Sequence, residues 1–247
     1  FMLGRIAAVH ALSDLYAALA TPTTALAIVN LPAASLSIQA NQLTQILAGG
    51  LFALSEAGVK LTGGHTSEGG ALSVGFSVTG HSKQKRPPTS VTAISGDDLV
   101  LVLTKPLGTG VIMAGHMQLV AEAQWVDTAI RQMAVSNQQA AKHFLKKGVL
   151  GATDITGFGL ARHAQNLSLR LGASGCRLDL SSLPLLDGAL ALLSSGIKSS
   201  WHDQNRAAVQ IDTSGLRRDS SAQIDSHIEA LFDPQTSGGL LGVFPRG

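Results

Sequence analysis

The sequence predicts a mixed α/β protein that is divided into two parts. Helical and strand-like hydrophobic patterns alternate over the first 80 residues, and a second set of such patterns follows residue 99. Between the two sets, residues 81–95 are polar and contain two adjacent prolines, which is typical of a linker. We therefore expect one domain over residues 1–85 and another over residues 91–247.

In the first part, helices and strands follow one another in short succession. Apolar residues at helical spacing predict helices over residues 6–19 and 41–57, and Gly58 is placed to end the second of them. Strands are predicted over residues 25–31, 59–62 and 72–78. The second of these strands is expected to be followed by a loop that contains Gly63 and Gly64.

The second part begins with a strand and is then mainly helical. The apolar run of residues 99–103 predicts that strand, and residues 127–147 have the pattern of one long amphipathic helix. Cys176 lies in an alternating, strand-like segment, where we expect a structural thiol and not a nucleophile. Other helices are predicted to begin at 108–110 and to span 160–171 and 185–194, with a long loop containing some helix over 197–225 and a last strand over 240–244.

Composition argues against several functional classes. The net charge is only +2 and aromatic residues are only 4% of the chain, so we expect no nucleic-acid partner. No apolar run approaches the ~18 residues that a membrane span needs, so we expect no membrane insertion. A single cysteine cannot form an internal disulfide, which favours a cytoplasmic protein. Charged residues are only 14%, which favours burial of surface in an oligomer.

Two isolated aspartates are candidates for binding a divalent cation. Asp154 lies in a short, glycine-rich turn before an amphipathic helix, where backbone can approach a charged ligand. Asp14 lies in an otherwise apolar helix, where it is either solvent-facing or held rigidly for a cation. Mg²⁺ prefers carboxylate oxygens, commonly one or two together with substrate phosphates. Sequence spacing does not show whether the two carboxylates meet.

Three glycine-rich segments are candidates for contact with phosphate. The run Gly63–Thr66 has two glycines and a hydroxyl, which fits either an anion-binding concavity or a simple turn. Residues 105–110 follow a strand and open a helix, but they lack the Walker pattern. Residues 236–239 form a third glycine-rich turn with hydroxyls, which fits either contact with phosphate or a tight strand connection. The eight histidines show no zinc-like spacing.

Five segments together resemble the selenide, water dikinases, also called selenophosphate synthetases. The sequences ATDITGFGL at residues 152–160 and FDPQTSGGLL at residues 232–241 set that family apart from aminoimidazole ribonucleotide synthetases and thiamine-monophosphate kinases. Residues 199–205 are most similar to the variant that is fused behind a flavin-dependent oxidoreductase domain. The other three segments are FMLGRIAAVHALSDLYAALA at residues 1–20, GGHTSE at 63–68 and LTKPLGTG at 103–110.

The resemblance implies an aminoimidazole-ribonucleotide-synthetase-like (PurM-like) ATP-binding fold. In this fold an N-terminal α/β domain dimerises through its sheet, and an α+β domain follows. The family converts ATP, selenide and water to selenophosphate, AMP and phosphate. The motifs imply that Asp14 and Asp154 bind Mg²⁺ and that Asp14 also helps to hold ATP. They further imply contact with ATP by Gly64, His65 and Thr66.

The chain departs from the family pattern at both ends. The resemblance places the family's catalytic Cys or selenocysteine, a nearby Lys and further acidic metal ligands upstream of Phe1, and the second domain is expected to be shortened at its end. We therefore expect that these 247 residues alone do not make selenophosphate. Two alternatives stay open: a related purine-pathway ATP-dependent synthetase, and a non-catalytic nucleotide-binding or dimerisation module.

Overall fold

The computed structural model describes residues 1–82, 99–216 and 221–246. The chain divides into two compact units, the first comprising Phe1–Lys85 and Met133–Lys146, and the second Arg86–Gln132 and Lys147–Gly247. The boundary that we expect between residues 85 and 91 lies outside the described residues. The first unit also takes in residues 133–146, which the sequence patterns do not assign to it.

The secondary structure alternates between helices and strands along much of the chain. The strands are β1 (Thr21–Pro32), β2 (Lys60–Gly69), β3 (Ser73–His81), β4 (Leu99–Leu103), β5 (Gly151–Asp154) and β6 (Leu240–Pro245). The helices are α1 (Met2–Ala17), α2 (Leu36–Glu56), α3 (Thr109–Met117), α4 (Ala123–Met133), α5 (Gln138–Lys146), α6 (Gly159–Arg170), α7 (Ala189–Ser194), α8 (His202–Ala207) and α9 (Ser221–Ala230).

The first unit is built on a three-stranded sheet with β1 at its centre. Strand β1 pairs in parallel with β2 and antiparallel with β3. Its side chains alternate between a buried face and an exposed face, as the two-residue period of a strand requires. The exposed face carries Leu26 and Ile28, which are 46% and 55% exposed. The buried face carries Ala25, Ala27, Val29 and Leu31.

Helices α1 and α2 pack closely because glycines stand where their backbones meet. A Cβ at Gly4 would overlap the carbonyl oxygen of Ile46, and a Cβ at Gly49 would overlap that of Phe1. Backbone atoms cannot move aside as flexible side chains can. The two glycines therefore set the distance between the helices.

The loop predicted at Gly63 and Gly64 is wrong, because β2 continues through both residues to Gly69. Gly64 is opposite Ala27 in the parallel ladder, and a Cβ at Gly64 would overlap the carbonyl oxygen of Ala27. The ladder register shifts between Ala25 and Leu26. Paired glycines inside a strand mark close approach of another backbone, a signal that resembles a turn in the sequence.

The second unit has its own three-stranded sheet, in the order β4-β6-β5, with both pairings antiparallel. One apolar core gathers around α6 and β6, where Leu160, Leu167 and Phe232 are almost completely buried. A second core forms around α3 and α7 and includes Val111 and Leu192. The described part of this unit thus buries apolar side chains from nearly every element, which fixes the turns between them.

The single long helix predicted over residues 127–147 is wrong. The structure has α4 and α5 instead, separated by residues 134–137. The Ser136 hydroxyl accepts a hydrogen bond from the Gln138 backbone N–H at 3.1 Å, as at a helix start. The Asn137 amide donates to the Ser13 hydroxyl at 2.9 Å, and both side chains are buried. The contact that breaks the helix is distant in sequence, so the local pattern could not reveal it.

The strand-like pattern around Cys176 does not form a strand. The segment is irregular and leads into a short 3₁₀ turn, Leu180–Ser182, while Cys176 is exposed. Its alternating leucines instead pack as partly buried residues at the edge of the core around α6. Within residues 1–82, 99–216 and 221–246, no helix is both long and apolar enough to cross a membrane.

We expect Gly4→Ala to lower the free energy of unfolding by about 1–3 kcal/mol, because the added methyl group forces two helix backbones apart. This loss should occur although Ala favours a helix over Gly by about 1 kcal/mol. Urea unfolding measures it. The control is Gly70→Ala, where an added Cβ meets nothing within 4 Å. Equal effects of the two substitutions would contradict the packing argument.

Candidate functional site

Asp154 is the last residue of β5, where the sheet of the second unit ends. Its side chain is only 8% exposed, and its Oδ2 atom is buried with no hydrogen-bond partner among the described residues. A carboxylate oxygen that is withdrawn from water without a donor is unfavourable unless a positive charge faces it. This oxygen is therefore suited to bind a cation, and it is the sort of hard ligand that Mg²⁺ prefers.

The turn that follows Asp154 is held by backbone and side-chain hydrogen bonds. The Ile155 N–H donates to the Gly239 carbonyl at 2.9 Å, which extends the pairing with the segment before β6. The Thr156 carbonyl accepts from the Gln235 N–H at 3.0 Å. The two family-specific segments therefore meet at this turn, and Asp154 is fixed at its base.

His163 contributes to the same turn from the first half of α6. Its Nε2 accepts the Thr156 N–H at 3.2 Å, which requires that this nitrogen carries no proton. Burial lowers the pKa of His163 to about 4, so the ring is neutral near pH 7. The imidazole therefore orders the turn without adding positive charge near Asp154.

The two glycines of the turn have different roles. Gly159 has a φ of +73°, and a Cβ there would lie 2.8 Å from the Leu231 carbonyl oxygen. Gly157 is exposed, and a Cβ there would meet nothing within 4 Å. Gly159 is thus required by packing and conformation, whereas Gly157 leaves the backbone of the turn open to a ligand.

A buried amide, the side chain of Gln235, occupies the start of α3. Its Oε1 accepts from the backbone N–H groups of Gly108 and Thr109 at 3.1 and 3.2 Å, and from the Thr109 hydroxyl at 3.1 Å. The Gly110 N–H donates to Asp233 Oδ2 at 3.1 Å. These N–H groups are therefore already satisfied within the protein, which argues against a phosphate loop at residues 105–110.

The glycines at residues 238–239 serve backbone contacts. A Cβ at Gly238 would overlap the Ile155 carbonyl oxygen, and one at Gly239 would come within 2.6 Å of the Lys105 backbone nitrogen. Residues 236–239 thus form a tight strand connection, as one of the two interpretations of their sequence predicts. The Lys105 ammonium, itself buried, donates to the Ser237 carbonyl at 2.8 Å, and burial lowers its pKa to about 8.

Asp233 is completely buried beneath the start of α3. Desolvation raises the pKa of its carboxyl group to about 7, although hydrogen bonds from Gln235 and from the backbone of Gly110 favour the charged form. Its Oδ1 has no hydrogen-bond partner among the described residues. Sequence reasoning missed Asp233, Gln235 and His163; the available signal was a set of polar residues inside otherwise apolar, glycine-rich segments.

The other predicted site residues lie in the first unit. Asp14 is exposed on α1, next to the buried Ser13. Gly64, His65 and Thr66 are consecutive and exposed on β2, an outer strand of its sheet. The side chains of His65 and Thr66 point to opposite faces of that strand.

Metal-binding side chains are sparse in the described ranges. Over residues 1–82, 99–216 and 221–246, no three His, Cys, Asp or Glu side chains come together as a metal cluster. This arrangement is compatible with Mg²⁺ held by one or two carboxylates and substrate phosphates.

Sequence comparisons identify relatives over nearly the whole chain. Residues 1–82 match the family model "AIR synthase related protein, N-terminal domain". The selenide, water dikinase of Geobacter sp. strain M21 is 39% identical over 244 residues, which cover 99% of this chain and 68% of the relative. That of Geobacter metallireducens is 41% identical over 241 residues, covering 98% and 67%. The chain thus spans about two thirds of the length of these relatives.

Solved structures share the fold at low sequence identity. Thiamine-monophosphate kinase from Stenotrophomonas maltophilia superposes with a TM-score of 0.70 at 17% identity, covering 99% of this chain and 68% of that one. Hydrogenase maturation protein HypE in complex with ATP gives 0.66 at 15% identity, covering 98% and 62%. The predicted aminoimidazole-ribonucleotide-synthetase-like (PurM-like) fold class is confirmed.

The raised pKa of Asp233 gives a prediction for stability. In the unfolded chain the ordinary value is 3.8, so between about pH 4 and 7 the folded state binds one more proton. The contribution of this group is full below pH 4 and is lost as the pH rises towards 7. Asp233→Asn mimics the protonated carboxyl group, so the variant should gain about 2–3 kcal/mol over the parent between pH 5 and pH 7.5.

Urea unfolding of the parent and the variant at the two pH values measures this gain. Comparing them at each pH cancels the contributions of other titrating groups, such as His163. The exposed Asp187→Asn is the matched control and should show no such gain. A difference between Asp233→Asn and the parent that is the same at both pH values would contradict the assignment.

Proposed function

The chain belongs to the selenide, water dikinase family, and we propose that it provides the part of the selenophosphate synthetase reaction that binds ATP and Mg²⁺. In that reaction ATP, selenide and water give selenophosphate, AMP and phosphate. We infer that the 247 residues hold the nucleotide but do not complete this reaction alone. The one thiol, Cys176, is exposed and lies outside the matching motifs.

The observation that carries the proposal is the buried, unpartnered Oδ2 of Asp154. Mg²⁺ bound there would neutralise the charge that develops on phosphate oxygens during phosphoryl transfer. The protein's part is to hold the carboxylate still. The pairing of Ile155 with Gly239 and the neutral ring of His163 both act on the turn that follows Asp154.

In the first unit we assign ATP contacts to Asp14, Gly64, His65 and Thr66. The three β2 residues are exposed on an outer strand, and the N–H groups that point away from β1 are on the side open to phosphate oxygens. Asp14 is exposed on a helix whose rotation is fixed by the buried Ser13–Asn137 hydrogen bond. Such a carboxylate suits a metal ion that also binds phosphates.

We also propose that the first unit forms a homodimer through its sheet. The outward face of the central strand carries Leu26 and Ile28, and the outer edge of β2 is exposed. Apolar side chains in the middle of a sheet face are favourable when a second apolar face covers them. A second copy of the chain supplies such a face by symmetry.

Two alternatives make different predictions. A purine-pathway synthetase would use formylglycinamidine ribonucleotide in place of selenide, so ATP turnover measured with each acceptor distinguishes the two activities. A non-catalytic module would not need the Asp154 carboxylate for binding Mg-ATP. A fused oxidoreductase domain and a cytoplasmic location are compatible with the proposal.

The first test is calorimetric titration of the chain with Mg-ATP. We expect Asp154→Asn to weaken binding by about 10-fold or more, because a neutral amide replaces the anionic metal ligand. Asp187→Asn, an exposed substitution in the same unit, should bind as the parent does. Unchanged affinity in Asp154→Asn would remove Asp154 from the metal site.

The second test concerns assembly. Ile28→Asp places a charge in the centre of the exposed sheet face, so we expect the variant to be a monomer and the parent a dimer. Light scattering after size exclusion measures both. Leu36→Asp on α2 is the control, since Leu36 is 84% exposed and does not belong to the sheet. A monomeric parent would contradict the dimer proposal.

A further inference from the structure

Asn205 is a buried polar residue at the end of residues 199–205, outside the five segments that carry the family resemblance. It sits on α8 and is only 4% exposed. Its Nδ2 donates to the Gly157 carbonyl at 2.8 Å and to the Phe232 carbonyl at 3.0 Å. A primary amide nitrogen has two hydrogens, so these two acceptors use both of its donors.

The two carbonyl groups belong to the turn that follows Asp154 and to the segment that is hydrogen-bonded to this turn. Gly157 is three residues after Asp154, and Phe232 begins the segment that contains Gln235. We propose that Asn205 is a positioning residue for Asp154, holding the turn at residues 155–159 so that the Asp154 carboxylate keeps the orientation that a divalent cation requires. This inference rests on the proposed role of Asp154.

The middle of the turn needs such a contact because Gly157 has little packing of its own. Ile155 and Thr156 are held by backbone hydrogen bonds to Gly239 and Gln235, and Gly159 is packed against Leu231. Gly157 is exposed, and a Cβ added there would meet nothing within 4 Å. The hydrogen bond from Asn205 therefore restrains the peptide group that would otherwise rotate most freely.

Asn205 can restrain the turn because α8 is itself anchored. His202, fully buried on the same helix, has its Nε2 3.0 Å from the Glu229 carbonyl oxygen. The Arg206 guanidinium lies 4.9 Å from the centre of the Phe232 ring and 3.4 Å from Glu229 Oε1. The short helix is thus tied to α9 and to Phe232, and the amide is presented from a fixed support.

The two carbonyl acceptors determine which substitutions are informative. Asn205→Asp keeps the shape of the side chain but replaces the donor with an oxygen, which would face two carbonyl oxygens. Asn205→Ala removes the donor and leaves both carbonyls without it. Asn205→Ser keeps one donor, so an intermediate effect is expected.

The test measures binding of Mn²⁺, a paramagnetic substitute for Mg²⁺, to the full 247-residue chain with a non-hydrolysable ATP analogue. Electron paramagnetic resonance counts the free ion directly and does not depend on turnover. We expect Asn205→Asp and Asn205→Ala to weaken Mn²⁺ binding about 10- to 100-fold, as is usual when the support of a metal ligand is removed. Asp154→Asn is the reference for loss of the ligand itself.

Two controls separate positioning from general loss of stability. Gln204→Ala changes the exposed neighbour on the same helix and should bind Mn²⁺ as the parent does. Val126→Ala truncates a side chain in the core around α3 and α7, so it should lower the melting temperature without weakening Mn²⁺ binding. If Asn205→Ala has no cooperative unfolding transition, Asn205→Ser is used in its place.

The outcomes distinguish this inference from the proposed function. If Asp154→Asn loses Mn²⁺ while the Asn205 variants bind it like the parent, the positioning role is wrong and the metal role of Asp154 stands. If Asp154→Asn binds Mn²⁺ normally, the proposed metal role fails, and the inference fails with it. Weakened binding in Val126→Ala equal to that in the Asn205 variants would also overturn the inference, because stability alone would then explain the loss.

Discussion

The buried side-chain amide of Gln235 is the contact on which the geometry around Asp154 depends. Its oxygen satisfies the start of α3 through Gly108 and Thr109, and its nitrogen donates to Asp233 Oδ2 at 2.8 Å. Its backbone N–H meanwhile holds the Thr156 carbonyl in the turn after Asp154. One residue therefore joins three segments of the chain, and the outermost of these contacts, between Gly108 and Gln235, spans 127 residues of sequence. A buried network of this kind is stable only when its members are satisfied together.

Two buried ionisable groups of the second unit, Asp233 and Lys105, have pKa values that are shifted towards their neutral forms. Asp233 keeps a proton because burial outweighs the donors that face it, and Lys105 shifts towards neutrality for the same reason. Asp154 Oδ2 differs in facing no donor from the described residues at all. Natural proteins retain such local costs mainly where a ligand offsets them. The N–H groups at the start of α3 are satisfied within the protein, whereas Asp154 Oδ2 is not. The start of α3 therefore supports the site, and Asp154 is the residue placed to bind a ligand.

Much of the fold could be predicted from sequence, because most elements have a clear period and a clear stop. The end of α2 at Glu56, two residues before Gly58, and the strand over residues 99–103 are examples, and the family-specific segments indicated the fold class. The errors arose where a distant contact overrides a local pattern. Gly64 lies in a strand because it faces Ala27, and the helix predicted over 127–147 is interrupted where Asn137 bonds to Ser13.

The candidate site was predictable in part. Asp154 stood out as a lone carboxylate beside glycines, but the roles of the residues that hold its turn did not, because Gln235 and Asn205 bond to backbone groups that are distant in sequence. The most direct test is a crystal structure of the chain with Mn²⁺ and a non-hydrolysable ATP analogue, using anomalous scattering to locate the ion. The account predicts an ion about 2.1 Å from Asp154 Oδ2. Bound nucleotide and ion with Asp154 Oδ2 left without a metal contact would contradict it.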